Sequence, residues 1–358
     1  MPRPSRDTIY KRLETSVDGL ASVGGLPVPA EASAIWKDIW HEEAHHSTAM
    51  EGNTLVFREV QLLLETGKAV GSKEMKAYLE VQGYGKAAEW VYTQAREHGP
   101  VQITATEIRE IHEIAVETVW AYFPPDQLDS REGPGAYRRK EIEPFDGGMR
   151  PPSWPDVPAA VTDWVDRVNG AAWRSSNERH VIEDFADLHA AFERIHPFRD
   201  GNGRVGRLVL NLLLVRHGYP PAVIYKGERD RYLAALRRAD SGDCGALGEL
   251  LARSIKQSID RFILPSLAGP HKLIPISALA GTAGLSRNAL TLAVQRGRLE
   301  AVKKGNAWHS TKVAAQEYAK SRYRQSPPPK ELPAHESNTP ALFTRTGEPA
   351  QSRTVNSS

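Results

Sequence analysis

HPFRDGNGRVGR, residues His196 to Arg207, decides how this chain is read. It compresses a histidine, a carboxylate, a Gly-Asn-Gly turn and two motif arginines into about three helical turns of length. Gly201 and Gly203 flank Asn202 and let the backbone take positive φ, turning its N–H groups inward. The apolar run Leu208 to Val215 that follows reads as a helix starting near Gly203. The orphan N–H groups and positive dipole end of such a helix point at an anion. Arg204 and Arg207 lie one turn apart and can face that same anion. Asp200 is suited to holding Mg²⁺, which takes one or two carboxylates plus phosphate oxygens. His196 is the side chain here whose ordinary pKa permits proton transfer near neutrality. Together they suit a triphosphate handled together with a proton.

The remaining composition sets the frame. With 358 residues, 40% of them hydrophobic and 25% charged, the chain is long enough for two or three domains. A net charge of +2 leaves the choice of partner to local clustering. A lone cysteine, Cys244, excludes an internal disulfide framework and suits a reducing compartment. In its SGDCGALG context it reads as a small structural thiol rather than a nucleophile. No apolar run reaches the length of a signal peptide or a bilayer span, so a cytoplasmic protein without a membrane partner is expected.

Residues 1–34 read as an irregular N-terminal arm around one short helix. From Glu31 a helical period takes over, with Ile35, Trp36, Ile39 and Trp40 forming one apolar stripe. Further apolar helical stretches cover Val56–Thr66, Glu74–Glu97, Thr106–Tyr122, Pro158–Asn169, Ile182–Ile195 and Asp230–Leu264. Gly135–Glu143 reads as a short hairpin between Gly133-Pro134-Gly135 and Gly147-Gly148. The expected fold class is therefore all-α, with one small β-hairpin. Pro197 cannot continue a helix, so it should leave His196 where the Ile182–Ile195 helix gives way to a loop. Phe198 should pin that loop to the core.

At every defined position the stretch from His196 matches HxFx[D/E]GNGRxxR, and the chain resembles the Fic/DOC family on that ground. The resemblance implies a helical bundle over residues 35–268, with its catalytic core at about 100–220. It also implies transfer of AMP from ATP to a Ser, Thr or Tyr hydroxyl of a protein, possible self-modification included. In that reading His196 deprotonates the hydroxyl, and Asp200 holds Mg²⁺ or Mn²⁺ against the phosphates. Gly201, Asn202, Gly203, Arg204, Val205, Gly206 and Arg207 form the nucleotide cradle, with Arg207 nearest the γ-phosphate. Gly203 stands where a family variant that transfers phosphate carries Lys, so nucleotidyl transfer is favoured. Tyr232 falls where relatives place aromatic residues near adenine, although a plain core tyrosine explains it as well.

Two further segments extend the resemblance. Ser47-Thr48-Ala49-Met50-Glu51-Gly52-Asn53 fits [S/T]xxxE[G/N], the inhibitory motif of autoinhibited Fic proteins, within an inhibitory helix at about 40–55. It implies that Glu51, with Ser47 beginning the motif, pairs with Arg207 and blocks the γ-phosphate site. Tyr137-Arg138 matches the G-x-[YF]-R start of the family's flap, which registers target backbone by strand addition. Arg139, Lys140, Glu141 and Ile142 would then meet the target. A homodimer through helical faces is a further expectation.

Residues 269–324 form a separate basic module, with nine Lys or Arg and two Glu between Ser286 and Arg324. The stretch resembles an excisionase-like winged helix-turn-helix. Arg287, Asn288 and Thr291 would face a DNA groove, and Lys303 and Lys304 in the wing would meet phosphates. A helical module for protein contact or dimerisation remains the alternative. Residues 325–358 are rich in Pro, Ser, Thr and Glu, and disorder is expected there. Two other functions stay open: a hydrolase that removes AMP, separable by free AMP release, and a nucleotide-sensing transcriptional regulator, which would not need His196.

Overall fold

The computed structural model describes residues 4–22, 25–29, 32–98, 102–143, 148–170, 179–263, 273–280, 284–299, 301–304 and 307–324. The 325–358 segment lies outside the described residues. The main body is all-α, as its periodicity predicts. It runs α1 (Arg6–Ser22), α2 (Ser33–Met50), α3 (Phe57–Thr66), α4 (Met75–Thr93), α5 (Ala105–Trp120), α6 (Val157–Asn169), α7 (Val181–Ile195), α8 (Asn202–Arg216), α9 (Arg229–Asp240) and α10 (Gly245–Ser258).

At the centre stands α8, buried on nearly every face from Val205 to Val215. A helix apolar all round must be surrounded, and α4, α5 and α7 enclose it. The stripe Ile35, Trp36, Ile39 and Trp40 carries α2 onto the same core. Helix α5 begins at a reciprocal cap: Thr104 Oγ1 accepts from the Glu107 N–H at 3.1 Å, and Glu107 Oε2 accepts from the Thr104 N–H at 2.9 Å. The longest pairing, α4 on α5, depends on Gly83. A Cβ placed there would lie 2.3 Å from the Ala115 carbonyl oxygen. Backbone does not give way as a side-chain tip does, so Gly83→Ala should cost about 1–3 kcal/mol. A denaturant midpoint unchanged from wild type at equal m would contradict that contact.

Three expectations need correction. The N-terminal arm is no arm: α1 is a 17-residue helix whose Ile9, Tyr10, Leu13 and Leu20 enter the main core. It packs on α10, and Tyr10 Oη donates to Glu183 Oε1 of α7 at 2.8 Å. The expected Asp230–Leu264 helix is two, because Gly242 turns left-handed (φ 94°) and lets the chain reverse. The Gly135–Glu143 hairpin forms no ladder among the described residues, and 144–147 lie outside them. Its backbone bonds elsewhere: the Arg138 N–H donates to the Pro197 carbonyl at 2.9 Å.

The C-terminal module has its own small core of Ile276, Leu279, Leu285, Leu290, Ala293, Val294, Leu299, Ala315 and Ala319. It comprises β1 (Leu273–Pro275), α11 (Ile276–Leu279), α12 (Arg287–Gln295), β2 (Val302–Lys304), β3 (Ala307–Thr311) and α13 (Lys312–Arg324). Ser286 caps α12 as expected, its Oγ accepting from the Ala289 N–H at 3.3 Å. The hairpin β2–β3 lies where a wing is expected. Strand β1, too short to show alternation, completes an antiparallel sheet of order β1-β3-β2. No described helix is long and apolar enough to cross a membrane.

Candidate active site

Helix α7 stops at Ile195 because Pro197 follows, and His196 closes it in a left-handed conformation (φ 48°, ψ 61°). That conformation is costly for a residue with a Cβ and is held by its surroundings. Phe198 is fully buried and stacks flat on His112 at 3.8 Å between ring centroids. Asn202 staples the loop shut: its Oδ1 accepts from the Phe198 N–H, and its Nδ2 donates to the Phe198 carbonyl, both at 2.8 Å. Gly201 (φ 83°) then turns the chain into α8.

His112 on α5 ties this loop to the flap segment. Its Nδ1 accepts from the Gly135 N–H at 2.9 Å, so Nε2 carries the proton and donates to the Asp200 carbonyl at 3.1 Å. Burial depresses its pKa to about 3, which keeps this neutral tautomer. His196 is tautomerically fixed by the same logic. Its Nδ1 lies 3.2 Å from the Glu193 carbonyl, which only accepts, so the lone pair is on Nε2. Burial first of all, with a further push from the Arg138 guanidinium, brings its pKa down to about 4 against the Glu193 hydrogen bond. At neutral pH this imidazole is a base.

A cavity of ≈ 670 Å³ opens beside it, lined by the 199–204 loop, Arg207, Glu193, Glu51 and one face of α9. Arg204 contributes a nearly buried guanidinium whose Nη2 meets Asp200 Oδ2 at 3.2 Å. Its Nε and Nη1 have no hydrogen-bond partner among the described residues. Buried donors left unmatched mark a place for an acceptor. Arg207 is occupied: its Nε donates to Ser47 Oγ at 2.7 Å, and its Nη2 to the Ser47 carbonyl at 3.0 Å and to Glu51 Oε1 at 2.8 Å. Burial raises the Glu51 pKa, but the Arg207 charge and hydrogen bond outweigh it and hold the carboxyl below the ordinary range. Glu51 Oε1 lies 2.6 Å from where a Cβ on residue 203 would stand, so Gly203 makes room for it.

Two more carboxyls surround Arg207. Glu43 is buried and accepts from Tyr84 Oη and Asn211 Nδ2, each at 2.7 Å, and from Tyr92 Oη. Glu193 is equally buried beside Gly206. Burial raises both: it pushes Glu193 up to about 8, so that this carboxyl favours its neutral form at pH 7, and it raises Glu43 against the hydrogen bonds from Tyr92, Tyr84 and Asn211.

The chain is similar to several known proteins. Residues 102–214 match the model of the Fic/DOC family. The chain is 30% identical over 237 residues to a protein named protein adenylyltransferase Fic of Drosophila willistoni, covering 66% of this chain and 44% of that one. It is 28% identical over 280 residues to the Culex quinquefasciatus protein of that name, covering 77% and 52%. The chain thus spans about half the length of the curated relatives it matches. Among solved structures it is similar to a fragment of Fic-1 from C. elegans (TM-score 0.59, 26% identity, 72% of each chain). It is also similar to a Fic domain containing signaling protein from Bacteroides thetaiotaomicron (TM-score 0.54, 25% identity, 71% of this chain and 95% of that one).

The structure gathers His196, Asp200, Gly201, Asn202, Gly203, Arg204, Arg207 and Tyr232 around the cavity, with Glu51 from α2. Val205 and Gly206, expected in the cradle, are not among its lining residues: Val205 is buried in the core, and Gly206 packs against Glu193. The Asn202 side chain belongs to the loop's own staple. Tyr232 is a core residue, bonded to His189 Nε2 at 2.7 Å, as the plainer expectation had it, and it also forms a wall of the cavity. Of the flap residues, Glu141 and Ile142 reach the cavity. Arg139 lies over the Trp154 ring (5.5 Å), and Lys140 Nζ donates to the Gln127 carbonyl at 2.6 Å.

Sequence reading passed over His112, Glu193 and Arg229, whose Nε caps the end of α2 through the Met50 carbonyl at 2.9 Å. Each is a single residue whose role depends on a remote segment, which spacing does not encode. Cys244 is buried and free, as expected of a structural thiol. Arg287, Asn288 and Thr291 share α12, the first two exposed, and Lys303 and Lys304 are in β2.

No three His, Cys, Asp or Glu among the described residues cluster as a metal site. The half-exposed Asp200 carboxylate still fits Mg²⁺ that arrives with a polyphosphate, which supplies the other oxygens.

Proposed function

We propose that this chain is a protein adenylyltransferase that moves AMP from ATP to a Ser, Thr or Tyr hydroxyl of a protein, restrained at rest by Glu51. The observation that carries this reading is His196: a half-buried imidazole with its lone pair on Nε2, lining the same cavity as Arg204 with its unmatched donors. His196 Nε2 takes the proton from the acceptor hydroxyl. The oxygen attacks the α-phosphorus, a P–O–C ester forms, and the bond to the β-phosphate oxygen breaks, releasing pyrophosphate. The backbone N–H groups opening α8 and the Arg204 guanidinium neutralise the developing charge. Asp200 would hold Mg²⁺, which supplies charge neutralisation on the phosphates. The nucleotide base would rest against Tyr232, Leu233 and Leu236 on α9.

Incubation with labelled ATP and Mg²⁺, followed by mass spectrometry of protein products, tests this. AMP esters on hydroxyls are expected. Phosphate in their place, or nothing from ATP or any other nucleoside triphosphate, would sink the reading. Release of free AMP from a target already carrying the ester would instead favour the hydrolase. Because the base works unprotonated, the rate should rise with pH through about 4 and then level off to neutrality. An acid limb at the ordinary histidine pKa would mean that His196 is not held as described.

A further inference from the structure

Arg138 is buried whole, yet it is no ordinary ion pair. Its Nε donates to the His196 carbonyl at 2.9 Å, Nη1 to the Lys140 carbonyl at 3.1 Å, and Nη2 to the Pro152 carbonyl at 2.5 Å. Its own N–H donates to the Pro197 carbonyl at 2.9 Å. The nearest carboxylate, Glu141, stands 3.7 Å away and is 63% exposed. A buried cation answered chiefly by carbonyl dipoles is expensive to keep. Here one residue grips the two consecutive carbonyls of the left-handed turn that carries His196.

We propose that Arg138 is a positioning residue of the transfer reaction: it fixes the left-handed backbone of His196 and sets a permanent positive charge beside the imidazole. The proposal rests on the nucleotidyl-transfer reading of the site. It joins flap and base into one unit, because the same guanidinium holds Lys140, at the start of the segment that lines the cavity, and His196. The charge argues for more than scaffolding. The groups facing His196 are Glu51 from α2, the largely neutral Glu193 one turn back on α7, and Asp200 in the following loop. The charges of Glu51 and Asp200 and the Glu193 carbonyl favour protonation, and Arg138 is the cation that opposes them. Burial is the larger cause of the low pKa, and the Arg138 charge adds to it. Without Arg138 the base would carry its proton further up the pH scale.

The test is an NMR titration of the His196 imidazole in the full chain, wild type against Arg138→Gln and Arg138→Lys, with transfer kinetics alongside. Arg138→Gln should raise the imidazole pKa by about one unit. It should also lower kcat by about tenfold or more, with KM for ATP little changed. Arg138→Lys keeps the charge but not the fork, so the imidazole should titrate as in wild type while kcat still falls. An unchanged pKa in Arg138→Gln would reduce Arg138 to a structural strut and overturn the proposal. If wild type transfers no nucleotide, the titration still decides the positioning claim. Should both variants fail to fold, the wild-type Arg138 Nε–H decides: slow solvent exchange supports the grip on His196, and rapid exchange overturns it.

Discussion

Glu51→Gly should raise AMP transfer by about 10- to 100-fold. Arg207 spends its fork on Ser47 and Glu51, and a γ-phosphate needs the same guanidinium. Displacing one charge-assisted hydrogen bond costs about 1.5–3 kcal/mol, which converts to that range of rate. The variant should fold normally. Glu51 closes α2 with ordinary cap angles (φ −90°, ψ 9°), and its side chain is 44% exposed at the cavity mouth. Label incorporation from ATP at equal protein concentration measures the effect. Equal incorporation in mutant and wild type would remove Glu51 from regulation.

His196→Ala should lose about 100- to 10,000-fold in transfer, the usual worth of a general base. ATP affinity should change little, since the arginines and the α8 N-terminus remain. The informative comparison is the pair with Glu51→Gly. The double variant should transfer as poorly as His196→Ala alone, because releasing the phosphate site is useless without a base. Activity in the double variant close to that of Glu51→Gly would assign proton removal elsewhere. Full cellular function in His196→Ala would favour a nucleotide-sensing regulator over an enzyme.

How far the sequence carries depends on whether a residue acts within its own segment. The 196–207 stretch is legible because Pro197, Gly201 and Asn202 shape the loop they sit in. Ser47 and Glu51 are legible as a spacing, one helical turn apart, and α2 delivers both to Arg207. The failures share a cause. A buried stretch of α1 looks like an arm when the α10 surface it covers is unknown. Arg138 looks like part of a hairpin until Pro197 is found opposite it. Glu193 and His112 read as ordinary helix residues because their partners are tens of residues away. The resemblance places Val205 and Gly206 in the cradle with their neighbours, whereas helical rotation turns them from it.

The three carboxyls around Arg207 have a consequence for how α2 and a nucleotide exclude each other. Burial disfavours the charged forms of Glu43 and Glu193, so Glu51, which Arg207 holds low, is the carboxylate that answers the buried guanidinium most fully. Electroneutrality, more than shape, is what the end of α2 satisfies. When Glu51 departs, an anion must take its place or a neighbouring carboxylic acid must give up its proton. Loading of the site is therefore an exchange of anions, and the restraint should weaken as the concentration of competing polyphosphate rises.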